Sequence, residues 1–144
     1  MSMSMSMDLL PMILVMIPAG FLSTMNIWVA NPDDIRLHIN DVYMVFLMIS
    51  WMILLFSIYD YKHQQPIVIV ASAISILVIM YCIRNQVFVN DTQFMKGMIP
   101  HHSMAITMAE KIKEKSDDER IINLANNIIK SQSEEIAYMK NLGY

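Results

Sequence analysis

Met95, Met98, His101 and His102 follow one another within two helical turns. Thioether sulfur and imidazole nitrogen together form the ligand set that prefers Cu(I) and, by the same softness, Ag(I). Adjacent histidines diverge by about 100° on a regular helix. Both therefore reach one ion only if Gly97 and Pro100 reshape the turn, since proline lacks an N–H and crowds the carbonyl one turn back. Cys82 is the only cysteine, which excludes an intramolecular disulfide and a thiolate cluster. Any metal must be held by Met, His, carboxylate or amide groups. The same residues also read as packing: Met is a routine gap-filler, and a histidine on an inner helical face is commonly hydrogen-bonded in a core.

Two helices must position these groups. Asn90-Asp91-Thr92-Gln93 resembles a capping box, and Phe94, Met98, His102, Ala105, Ala109 and Ile112 then recur on one helical face. Lys111, Lys113 and Lys115 suit the end of that helix, where cations complement the dipole. Ser116-Asp117-Asp118-Glu119 reads as the capping box of a second helix, with Gly143 as its stop. The inner stripe of the second helix contains Ile121, Leu124, Ala125, Ile128, Ile136, Met139 and Leu142, interrupted by Gln132 and Glu135. With the bend near Ser116, an antiparallel register sets His101 and His102 opposite Gln132, and Met98 opposite Glu135. Polar groups of both helices thus meet at one level of an apolar seam, and a buried polar group without a partner is costly. Met104 and Met108 lie off this face and are further or outer-shell candidates, together with Gln132, Glu135 and Met139.

No nucleophile elbow, phosphate loop or thiolate zinc spacing occurs, and neither helix carries the Glu-x-x-His of a di-iron site. No catalytic residue, enzymatic activity or small-molecule substrate is expected. Residues 90–144 carry seven basic and eight acidic side chains, so nothing there forms the basic patch that nucleic acid requires.

The rest of the chain is unlike a soluble domain. Of its 144 residues, 56% are hydrophobic and 16% charged, against about 45–50% and about 25% for ordinary domains. Three apolar runs, 9–30, 42–59 and 67–83, read as transmembrane helices; the first spans roughly 33 Å, enough for a bilayer core of about 30 Å. None contains an ionisable side chain other than Tyr or Cys82, which suits an anchor better than a pump. The Met-Ser alternation within residues 1–8 reads as a disordered tail. Arg36 against Asp33, Asp34 and Asp41 in the first loop, and Lys62 with His63 against Asp60 in the second, favour a cytoplasmic second loop. The first loop and the C-terminal part then lie on the non-cytoplasmic side, although Arg84 opposes this.

The sequence Phe94-Met95-Lys96-x-Met98-Ile99-Pro100-His101-His102-Ser103-Met104-Ala105-Ile106, followed by Leu124-Ala125-x-x-Ile128-Ile129 and Gln132-x-x-Glu135-Ile136-x-x-Met139, resembles the family catalogued as domain of unknown function 305. The likeness covers roughly 91–142, and the preceding spans resemble a membrane-anchored subgroup. That resemblance implies a ferritin-like fold, of which this hairpin would be half of a four-helix bundle. It also implies copper or silver binding outside the cytoplasm, as in CopM-like members, at Met95, Met98, His101 and His102.

The fold expected is therefore all-α: three transmembrane helices and a soluble antiparallel hairpin over 90–144. Two helices cannot enclose a core alone, so a homodimer through the hairpin is expected, or docking on the membrane helices. Two functions stay open. One is Cu(I) or Ag(I) sequestration or delivery. The other is a metal-free interaction module whose polar layer sets dimerisation.

Overall fold

A computed structural model describes residues 9–60 and 65–143. The terminal tail 1–8 and most of the second loop, including Lys62 and His63, lie outside the described residues. Among those described, all regular structure is helical: α1 (Leu9–Leu22), α2 (Ile39–Tyr59), α3 (Pro66–Arg84), α4 (Asp91–Lys113) and α5 (Glu119–Asn141), with short 3-10 turns at Met25–Trp28 and Pro32–Asp34. The chain forms two compact units.

The first unit holds α1, nearly all of α2, and α3. Three stretches, Leu9–Trp28, Ile39–Tyr59 and Pro66–Arg84, are long and apolar enough to cross a membrane by length and composition. Gly20 lets α1 approach α2 closely, since a Cβ there would lie 2.9 Å from both Val45 methyls. Ser50 and Ser75 share a hydrogen bond of 2.9 Å between α2 and α3. Tyr43 donates to the Val87 carbonyl at 2.7 Å, fastening the start of α2 to the chain after α3. Outward side chains such as Leu14, Leu55 and Leu77 are exposed.

The first apolar run, expected as one helix over 9–30, is helical only to Leu22. Ser23, Thr24 and Asn26 supply the reason, because short polar side chains compete for backbone groups. Asn26 donates to the Arg36 carbonyl at 3.0 Å and accepts from the Arg36 N–H at 3.0 Å, so it ties the 3-10 turn Met25–Trp28 to the loop after it in place of further α-helix.

The second unit comprises Ser23–Ile39 and the residues from Val89 onward. Asn90 caps α4, accepting from the Gln93 N–H at 2.9 Å. The cap of α5 is Asp118, which accepts from the Arg120 N–H at 2.8 Å, while Ser116 accepts from the Asp118 N–H at 3.2 Å. The turn therefore extends beyond the Ser116 cap expected from sequence. The Arg120 side chain beside Asp118 holds its carboxyl below the ordinary value. Pro100 lies buried inside α4, which stays helical on both sides of it.

Ile99, Ile106, Ile136 and Met139 form the core of this unit, with Met95, Met98 and Ile129 packed against it. The face of α4 that packs is not centred on the expected stripe. Ile99 and Ile106 are buried, whereas Phe94 stays 50% and Ile112 43% exposed. The first loop explains the difference, because it covers the flank of α4 beside Ile99. Ala30 donates its N–H to Ser103 Oγ at 2.9 Å, and Ser103 donates to Asp34 Oδ2 at 2.6 Å. Lys140 from α5 pairs with the other Asp34 oxygen. The Ile39 N–H donates to Gln93 Oε1 at 2.8 Å, and the His38 ring lies over Gly97, where a Cβ would meet it at 3.5 Å. The hairpin thus gains a third layer from its own chain.

Candidate functional site

Met95 and Met98 are half-buried on α4, with Met139 of α5 buried in the same cluster. One turn beyond Met98, His102 is buried at the same helix–helix seam, and its Nδ1 lies 2.9 Å from Glu135 Oε2. At 2.9 Å the two atoms are in close contact across the seam, but they are not aligned as a hydrogen bond, and the buried Nδ1 has no hydrogen-bond partner. Burial pushes the His102 pKa below its ordinary value, opposed by the Glu135 charge and reinforced by His101. The imidazole is therefore neutral at pH 7.

His101 is exposed, and its ring meets that of His102 edge-on with centroids 5.9 Å apart. The polar level expected from sequence is present, with a changed pairing. Glu135, not Gln132, engages His102, about one helical turn from the simple register. Gln132 is half-buried nearby in sequence on α5. Met104 is half-buried on a different side of α4, and Met108 is 62% exposed toward the distal end of the hairpin. Neither belongs to the cluster of Met95 and Met98.

Among the described residues no group of three or more His, Cys, Asp or Glu could hold a metal ion. The donor set at the seam is instead thioether and neutral imidazole, which fits soft monovalent ions and no hard cation.

Asp34, His38, Ser103 and Lys140 escape the sequence reading. All four are polar groups in or beside the loop–hairpin contact. Their partners lie far apart in the chain, Ser103 and Asp34 by 69 residues, so no local periodicity marks them. The one available hint is Gly97, a helix-weakening residue in mid-helix whose bare face receives His38. Two concavities flank the seam. A groove of about 620 Å³ at the distal end is lined by Ala105, Met108, Ile112, Leu124 and Ile128. A recess of about 340 Å³ lies between the loop and the hairpin, with Asp34, Ser133 and Lys140 in its wall.

Residues 83–143, which contain both helices and the His102–Glu135 pair, match the model of the family described as Domain of unknown function (DUF305). The chain belongs to this family. A relative that extends beyond the DUF305 region is "Uncharacterized protein L153" of Acanthamoeba polyphaga mimivirus, 46% identical over 136 residues, which cover 93% of this chain and 90% of that protein. The similarity therefore includes the apolar helices as well as the DUF305 hairpin. No solved structure matches the chain.

Proposed function

We propose that this chain is a multi-pass membrane protein whose DUF305 hairpin binds Cu(I) or Ag(I) for sequestration or delivery. Met95, Met98 and His102 are the ligands, with His101 at the exposed edge. The observation that carries the reading is the buried His102, in contact with Glu135 across the seam and one turn after Met98. It sets an imidazole on the same helix as two thioethers, one and two turns after them. The bound ion would contribute only its affinity for soft donors; the chain's own residues orient those donors and exclude water from the apolar side of the seam.

Membrane insertion is supported by the three long apolar helices and their exposed leucines. Three crossings put the first loop and the C-terminal hairpin on the same side of a bilayer. The compact unit formed by Ser23–Ile39 with the hairpin supports that arrangement. Lys62 and His63 in the second loop, against Arg36 in the first, favour a cytoplasmic second loop and so a non-cytoplasmic first loop, with Arg84 opposing.

A Cu(I) competition titration of the full chain in detergent, against a colorimetric chelator, tests the site. The parent chain competes for one ion, and Met98→Leu with His102→Ala weakens it by more than about tenfold, the loss of roughly 1.4 kcal/mol. Unchanged affinity in that variant would remove these residues from the site. The second reading, a metal-free interaction module, draws support from the apolar face of the hairpin that the loop leaves uncovered.

A further inference from the structure

We propose that this uncovered face is the contact surface between two copies of the chain. On α4, Phe94, Met98, His101, Ala105, Met108 and Ile112 are spaced alternately by four and three residues. On α5, Leu124, Ile128, Ser131, Glu135, Tyr138 and Leu142 repeat the same spacing. A repeat of 3.5 residues makes a straight seam along a helix and is the pattern of helices packed on other helices. Within one hairpin these stripes do not bury each other. Phe94, Ile112, Leu124, Tyr138 and Leu142 are all exposed, and the distal groove opens between them. The loop residues Ala30 and Asp34 occupy the opposite side, against Ser103 and Lys140, so nothing among the described residues of the second unit covers this one.

Three features select a second copy as the occupant. The first is size. Helices of 23 residues are about 35 Å long, and a pair is about 20 Å wide, giving about 700 Å² per copy against the about 800 Å² per partner of a standard interface. The second is the distribution of polarity. Apolar residues occupy both ends of the face, while His101, Ser131 and Glu135 occupy its middle. A two-fold axis at that level sets the middle of one copy against the middle of the other, imidazole near carboxylate, and apolar ends against apolar ends. The third is the narrow 3.5-residue period itself. A bilayer surface accepts any apolar arc and favours basic residues. This face has Lys111 and Lys115 beside its distal groove but carries Glu135 across its centre, where a copy can offer His101. The inference stands whether or not a metal is bound.

Sedimentation equilibrium of the full chain in a density-matched detergent tests it. The parent sediments as a dimer at micromolar concentration. Ile112→Glu and Leu124→Glu each raise the dimer dissociation constant at least about tenfold. Both side chains are exposed within one hairpin, so helix content by circular dichroism stays at the parent level. Ile35→Glu, an exposed apolar position in the loop, leaves the constant unchanged. A monomeric parent would overturn the proposal, including one whose hairpin face instead binds lipid vesicles. So would a dimer indifferent to Ile112→Glu and Leu124→Glu, since that dimer would be held elsewhere on the chain.

Discussion

His102 on α4 and Glu135 on α5 share a contact of 2.9 Å between Nδ1 and Oε2. This contact joins the two helices of the hairpin. Glu135 is half-exposed while His102 is buried, so the carboxylate reaches inward from a wet position. Replacing Glu135 by Ala should cost up to about 1 kcal/mol of hairpin stability, because the polar contact between the two helices is lost. It should also weaken Cu(I) binding by about 10–100-fold, the usual effect of removing the carboxylate behind a metal-ligating histidine. Denaturant unfolding and the Cu(I) competition assay measure the two effects separately.

The His102 pKa is lowered from 6.5, chiefly by burial. Below about that pH the unfolded chain binds a proton that the folded hairpin still refuses, so stability falls with pH. The contribution is complete above pH 6.5 and declines below it, levelling off once the folded imidazole also protonates. Melting curves of the parent and of His102→Gln between neutral and mildly acid pH should differ in this slope. Identical slopes would mean that His102 is not buried as a neutral ring.

The Asp34–Ser103–Lys140 contacts hold the first loop on the hairpin. Asp34→Ala removes a buried carboxylate and strands a partly buried ammonium, at a cost of about 2 kcal/mol. Ser103→Ala should cost about 1 kcal/mol, since it frees the Ala30 N–H and one Asp34 oxygen. Limited proteolysis should then cut within Ser23–Ile39 faster in Asp34→Ala than in the parent. Equal cleavage rates would show that these contacts do not hold the loop.

The two helical glycines should respond oppositely to alanine. At Gly20 a Cβ would lie 2.9 Å from both Val45 methyls, closer than atoms pack, so Gly20→Ala should loosen α1 from α2 and lower thermal stability. At Gly97 a Cβ would meet the His38 ring at 3.5 Å, an ordinary contact. Gly97→Ala should therefore be tolerated, and the better helix propensity of alanine adds up to about 1 kcal/mol. Paired thermal melts of the two variants check the contrast.

Much of this architecture is legible in the sequence because its signals are local. Continuous apolar runs mark α2 and α3 to within a few residues, and Asn90 with Gln93 announces the start of α4. The end of α1 is less legible, since hydropathy carries the run past Leu22 while Asn26 quietly diverts the backbone. The packing side of α4 is ambiguous for another reason. Its apolar arc is wide enough to include both Ile99 with Ile106 and Phe94 with Ile112. Only the loop, anchored through residues 69 positions away, decides which side is covered. The same limit applies to the site. Spacing places Met95, Met98 and His102 within two turns of α4, but that Glu135 and not Gln132 meets His102 depends on side-chain reach across the seam.

The central claim is that the seam beside His102 binds a soft ion. Cu(I) titration of the full chain in detergent, compared with a chain carrying Met95→Leu, Met98→Leu, His101→Ala and His102→Ala together, tests it most directly. The parent should withdraw one equivalent of Cu(I) from the chelator, and the fourfold variant, equally helical, should withdraw none. A parent that leaves the chelator fully loaded, or a variant that competes as well as the parent, would contradict the claim.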